Sequence, residues 1–233
     1  MTLRHEWKHR LSPADLPELR QRLRCLTQPD PHGVDGKYEI RSLYFDTPAD
    51  TALREKLDGV NAREKFRIRC YNKDPALIHL EKKSKWNGLG TKEKVPLTPG
   101  QVRDLLAGRY RWLEEAEDPL LRELFCKMTL QGLRPRTLVD YTREAFVYPP
   151  GNARVTLDYG IRTGLGCVDL LNPDCITIPA KDSPVILEVK WDAFLPDLIR
   201  DAVRIPGRRT AAFSKYAACR MYKIGRASCR ERV

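Results

Sequence analysis

Arg63-Glu64-Lys65-Phe66-Arg67-Ile68-Arg69 is the stretch on which the reading of this chain turns. Side chains alternate across an extended strand, so Arg63, Lys65, Arg67 and Arg69 share one face and Phe66 and Ile68 the other. Like charges at period two repel one another, and such a row is stable only opposite something polyanionic. The pattern recurs. Glu81, Lys83 and Lys85 share a face, as do Lys92 and Lys94, and Arg4, Glu6 and Lys8. Tyr141 pairs with Arg143 in the same way, Arg154 with Thr156 and Asp158, and Glu188 with Lys190. A solvated face ordinarily mixes both signs with serine, threonine and glutamine. Cations repeated at one parity over several strands instead predict a wide barrel with a charged, water-filled lumen.

Composition bounds what such a chain can be. Its 233 residues can bury one sizeable core, and the 42% hydrophobic and 31% charged fractions place it among globular proteins. No apolar run approaches the roughly 18 residues of a membrane span, and Met1–Glu6 lacks the apolar region of a signal peptide. Seven cysteines, none in a CxxC pair or at metal spacing, predict a reduced, cytoplasmic setting. The net charge of +11 points to an anionic partner. Residues 223–233 have no hydrophobic period and read as a translated sequencing adapter or a basic tail. Leaving out their four basic residues and one acid lowers the charge to +8.

Strands are expected over residues 4–11, 38–45, 63–71, 77–85, 91–97, 137–147, 154–161 and 185–191, punctuated by Gly, Pro, Asn and Asp. Helices are expected after Ser12-Pro13, from Asp46-Thr47-Pro48 to Lys56, after the capping box Thr98-Pro99-Gly100-Gln101, and after Asp118-Pro119. The fold class is therefore mainly β (α+β), an antiparallel sheet closed on itself with helices packed outside, in one domain. Gly88-Leu89-Gly90 lies between two basic strands and lacks the strand–loop–helix context of a P-loop. His5, His9, His32 and His79 are too dispersed for a zinc site.

Taken in order, these segments resemble the VTC domain, the polyphosphate-polymerase module of the triphosphate tunnel metalloenzymes (CYTH-like). The landmarks are Arg4-x-Glu6-x-Lys8, Ile40-Arg41-Ser42-Leu43-Tyr44-Phe45-Asp46-Thr47, Arg63-x-Lys65-x-Arg67-x-Arg69-x-Tyr71 and Leu80-Glu81-x-Lys83. They continue through Tyr141-x-Arg143-x-Ala145-Phe146, Arg154-x-Thr156-x-Asp158, Leu187-Glu188-x-Lys190 and Phe213-Ser214-Lys215-Tyr216, spanning residues 1–222.

The resemblance implies a closed tunnel lined by Arg and Lys. It implies Arg67, Arg69, Lys83, Arg143 and Lys215 as catalytic phosphate contacts. Lys8, Lys65, Lys92, Lys94, Arg154, Lys190 and Ser214 would bind substrate. Glu188, with Glu6 and Glu81, would hold Mn²⁺ or Mg²⁺. The chemistry agrees, since Arg offers a planar fork to phosphate, Lys a compact charge, and carboxylates suit a hard divalent cation. The resemblance departs at Ala212, where the family carries a further basic residue, while Arg4 in place of glutamate argues against the cyclase and thiamine-triphosphatase branches.

The function so implied is a metal-dependent polyphosphate polymerase using ATP. The alternatives are a tripolyphosphatase or nucleoside triphosphatase, and a non-catalytic polyphosphate-binding module. Nucleic-acid binding fits poorly, because aromatic residues are not interleaved with the cations. The expected partners are ATP and polyphosphate, with a membrane-protein partner left open.

Overall fold

Ten strands, antiparallel in every described register, form the sheet of the computed structural model, which describes residues 4–87, 89–180, 184–208, 210 and 212–221. They are β1 (His5–Leu11), β2 (Gln28–Pro29), β3 (Lys37–Asp46), β4 (Arg63–Tyr71) and β5 (Asp74–Trp86). β6 (Leu89–Pro96), β7 (Arg134–Tyr148), β8 (Ala153–Thr163), β9 (Ile178–Pro179) and β10 (Val185–Trp191) follow. Helices are α1 (Leu16–Leu26), α2 (Thr51–Leu57), α3 (Pro99–Leu106), α4 (Pro119–Gln131) and α5 (Asp197–Ala202), and residues 215–221 are also helical. All eight expected strands are present. The tail at 223–233 lies outside the described residues, as does Gly88 of the glycine pair.

Local chemistry explains the helix ends. Thr98 accepts from the backbone of Gln101 while the Gln101 side chain accepts from Thr98 N–H, a complete capping box that starts α3. Asp118 caps α4 through the N–H of Leu120, and Gly132 ends it with φ of 64°. Helix α2 begins later than the Asp46-Thr47-Pro48 signal predicts, because Asp50 adopts a left-handed conformation ahead of it. Asp46 still caps it from a distance, accepting from Ala52 and Leu53 N–H at 2.9 and 3.2 Å.

The chain divides into two compact units, each built from three discontinuous stretches, so no linker separates them in sequence. The first comprises Met1–Glu39, Tyr141–Ile161 and Asp182–Phe213, with strand order β1-β10-β8-β7. One face of its strands supplies Leu11, Val155, Leu157, Leu187 and Val189 to a core closed by Leu16, Leu19 and Leu23 of α1 and Ile199 of α5. The second comprises Ile40–Asp140, Arg162–Lys181 and Ser214–Val233, with order β7-β3-β4-β5-β6. Its core joins Leu43, Phe66, Ile68, Ile78, Leu80 and Val95 to Val102 and Leu105 of α3 and Leu120, Leu124 and Met128 of α4. In both units the helices cover the apolar face, which leaves the basic face as the other side of the sheet.

Two polar details on β7 have structural answers. Asp140 pairs with the buried Arg41 at 2.9 Å, and Glu144 accepts from Arg20 of α1 and from Tyr159. Cys167 and Cys175 meet in the loop after β8 with their Cα atoms 7.2 Å apart, wider than the usual span of a disulfide. No described helix is long and apolar enough to cross a membrane.

Candidate phosphate-binding faces

Register places the basic row of β4 beside its neighbours in the second unit. Arg67 sits across from Tyr44 and Glu81, and Glu81 across from Lys94. Lys65, Lys83 and Lys92 form the next rung, and Arg63 faces Lys85 beyond it. On the other side of Arg67, Arg69 lies between Ser42 and His79. Four cations of β4, two of β5 and two of β6 thus share a face whose strands β4–β6 contribute one carboxylate, Glu81.

The opposite face of the same strands is the control. There Lys82 meets Glu123 at 2.5 Å, Glu64 at 3.5 Å and Glu93 at 3.9 Å, and Lys127 meets Glu64 at 2.5 Å. One face is charge-balanced and the other is not. A merely solvated surface would not sort its charges by parity in this way.

Glu81 is 1% exposed, beside Arg67 at 7% and Arg69 at 5%. Arg67 donates to Glu81 Oε2 and to the Tyr44 hydroxyl, Arg69 donates to Ser42 Oγ at 3.3 Å, and Lys92 Nζ lies 2.5 Å from Glu81 Oε1. Burial alone would raise the Glu81 pKa. Arg67, Arg69 and Lys92 outweigh it and hold the carboxyl well below its ordinary range. The Lys65 pKa is also shifted down, to about 8, by burial and by the neighbouring Lys56 and Arg63. Its ammonium lies 5.3 Å from the centre of the Tyr216 ring and 3.5 Å from Ser214 Oγ. Lys94 forms no ion pair among the described residues.

The residues around Ser214-Lys215 are anchored by landmark residues to which the sequence assigned no role in the site. The Tyr216 hydroxyl donates to Asp46 Oδ2 at 2.5 Å, and its ring stacks on Tyr44 at 5.0 Å. Tyr44 in turn accepts from Arg67. Tyr44 and Asp46 belong to the Ile40–Thr47 landmark, and Asp46 also opens the helix signal Asp46-Thr47-Pro48, but nothing local links Asp46 to a residue 170 positions away.

The first unit holds a second basic face, more evenly balanced. Lys8 lies across from Glu188, and Glu6 across from Lys190, which lies across from Arg154. Lys8 Nζ is 2.9 Å from Glu6 and 3.6 Å from Glu188, and Lys190 Nζ is 2.8 Å from Glu188 and 3.5 Å from Glu6. Burial would lower the Lys8 pKa, but Glu188 and Glu6 outweigh it and raise it. Arg143 is held by the fully buried Asp158 through Nε at 2.6 Å and Nη2 at 2.7 Å. Asp158 therefore fixes the fork and spends one side of it. Arg154 is held by Asp30 at 2.5 Å and Tyr38 at 2.8 Å.

Donor chemistry separates the three glutamates. Among the described residues no three His, Cys, Asp or Glu side chains gather for a metal ion. Glu6 and Glu188 come nearest, as two hard-oxygen donors suited to Mn²⁺ or Mg²⁺ from which the ammonium groups of Lys8 and Lys190 would have to be displaced. Glu81 fits poorly, because Arg67 occupies one of its oxygens and Lys92 the other.

Sheet and faces define a mainly antiparallel β protein that gathers cations on the side its helices leave uncovered. The chain belongs to the VTC domain family, which matches residues 3–222. Among solved structures, HpAC1 from Hippeastrum, a candidate adenylyl cyclase described with a dominant triphosphatase activity, is similar at 18% identity and a TM-score of 0.56. That match covers 95% of this chain and 97% of HpAC1. A candidate adenylate cyclase from Bacillus halodurans matches at 13% identity and TM-score 0.48, over 97% of this chain and 89% of its own. The PH1819 protein of Pyrococcus horikoshii OT3 matches at 15% and 0.41, over 85% and 84%. At such identities the HpAC1 likeness speaks for the fold alone. No curated protein sequence matches the chain.

Proposed function

We propose that this protein is a polyphosphate polymerase that transfers the terminal phosphoryl group of ATP to a growing polyphosphate chain. The observation that carries the reading is the charge imbalance of the β4–β5–β6 face, where eight cations meet one carboxylate. Membership in the VTC domain family supports it. The closed tunnel implied by the resemblance belongs to the same proposal.

In the reaction a terminal oxygen of polyphosphate bonds to the γ-phosphorus as the bond from that phosphorus to the β,γ-bridging oxygen breaks, and ADP leaves. Such a transfer asks a protein chiefly for positioning and for charge neutralisation on the equatorial oxygens. Arg67 and Arg69 have the fork geometry and burial to do this, with Lys65, Lys83, Lys92 and Lys94 holding neighbouring phosphates. Lys215 neutralises the leaving group, and Ser214 donates a hydrogen bond to phosphate. In the first unit Lys8, Lys190, Arg143 and Arg154 bind further phosphates, while Glu188 and Glu6 hold the divalent cation. When bound, that cation supplies Lewis-acid neutralisation of phosphate oxygens.

The second reading is a metal-dependent triphosphatase, in which water replaces the acceptor. The triphosphatase activity described for HpAC1 favours it. Incubation with ATP and Mn²⁺, followed by gel separation of the phosphates, decides between them. Long chains establish the polymerase, orthophosphate alone the hydrolase, and tight polyphosphate binding without turnover a binding module.

A further inference from the structure

The tip of the β5–β6 hairpin carries apolar surface that the phosphate chemistry leaves unused. Trp86 and Leu89 face each other across the turn and are 67% and 44% exposed. Val60, 40% exposed, belongs to the loop before β4, and a hydrogen bond from Asn61 to Asn87 ties that loop to the hairpin turn. Three large apolar side chains therefore stand in water at one end of the sheet, outside the core of their own unit. One rung inward, Arg63 and Lys85 face each other. The acid of the adjoining turn is Asp58, so cations outnumber acids around the patch.

That combination suits one kind of surface. An exposed tryptophan has an apolar ring and an N–H donor, matching the boundary between lipid headgroups and acyl chains. The cations one rung inward, on the other face of the hairpin, match the phosphates of anionic headgroups. Three side chains are too few for a stable protein interface, which buries at least about 1,200 Å², whereas interfacial lipid binding sums small apolar and electrostatic contributions.

We propose that this hairpin tip docks the protein on anionic lipid bilayers, with Trp86 and Leu89 entering the headgroup region and Arg63 and Lys85 meeting lipid phosphate. The inference does not depend on the polymerase reading. Because the basic faces could themselves attract anionic vesicles, the test must separate the two sources. The full chain is sedimented with phosphatidylcholine vesicles with and without phosphatidylglycerol, in the presence and absence of excess tripolyphosphate. Binding is expected only to the anionic vesicles and should persist with tripolyphosphate. The Trp86→Ser/Leu89→Ser variant should lose about tenfold or more in vesicle affinity and keep its tripolyphosphate affinity. Quenching of tryptophan fluorescence by brominated lipid should fall in Trp86→Phe. Absence of vesicle binding, displacement by tripolyphosphate, equal binding by the double variant, or quenching unchanged in Trp86→Phe would each overturn the proposal.

Discussion

Arg67 reaches Glu81 with both Nε and Nη2, at 2.8 and 2.6 Å, and both bonds fall on the same oxygen, Oε2. The other oxygen takes Lys92 at 2.5 Å. One buried carboxylate thus compensates several cations, and it competes with phosphate for them.

Glu81→Gln should therefore separate stability from binding. Removing one partner of a buried pair costs about 3–5 kcal/mol, so the variant should melt earlier. It should nevertheless bind tripolyphosphate more tightly, and its thermal shift on adding tripolyphosphate should exceed that of the parent. The acid side follows the same logic. Glu81 contributes stability in full above its unfolded pKa of 4.5, and that contribution fades as pH falls towards the depressed folded value. The acid limb of unfolding should shrink in Glu81→Gln.

Arg67→Ala and Arg69→Ala should each weaken tripolyphosphate binding by about ten- to a hundredfold, the loss of one charge-assisted contact of about 1.5–3 kcal/mol. Arg67→Lys should recover only part, since the ammonium keeps the charge and loses the fork. Titration calorimetry of the three variants measures this, and unchanged affinity in both alanine variants would remove the face from the binding site.

Lys65 makes binding pH-dependent. With its pKa near 8 it is charged at neutral pH and neutral at pH 9, so affinity for tripolyphosphate should fall as pH rises through 8. Stability should move the opposite way. Between about 8 and the unfolded value of 10.5 the unfolded chain holds the extra proton, so raising pH favours the folded state. Lys92 on the same face is also shifted down to about 8. Lys65→Arg, which stays charged, should therefore flatten part of the affinity profile. Calorimetry in buffers of different ionisation enthalpy should show less proton uptake near pH 8 in the variant than in the parent.

Tyr216→Phe removes the hydroxyl that meets Asp46. The three N–H donors from Thr47, Ala52 and Leu53 remain on the carboxylate. The expected loss is about 1–3 kcal/mol in chemical denaturation, with tripolyphosphate affinity reduced a few-fold through a less firmly held Lys215. Asp46→Ala should cost more, because it also uncaps α2.

Glu188→Gln should lower Mn²⁺ affinity and Mn²⁺-supported turnover by about 10–100-fold, and it should also lower the melting temperature, since Glu188 is buried and pairs with Lys8 and Lys190. Calorimetric Mn²⁺ titration gives a readout independent of activity. Equal Mn²⁺ affinity in the variant would exclude Glu188 as a ligand.

Strand parity in residues 63–69 determined that β4 is two-faced, and the same reading held for β5, β6, β8 and β10, because alternation is a local property of extended chain. Capping signals placed α3 and α4 for the same reason, each cap reaching no further than three residues. What parity could not supply is which rung faces which, so it could not show that Glu81 falls between Arg67 and Lys94 while Lys82 collects the acids on the reverse face. Register depends on pairing partners distant in sequence. Asp46 with Tyr216, Arg143 with Asp158 and Arg41 with Asp140 were unreadable for that reason. The sequence by itself determined that cations share faces. Only tertiary structure decided which carboxylate each cation keeps, because an ion pair in a low-dielectric sheet interior is set by distances of a few ångströms that chain order does not encode.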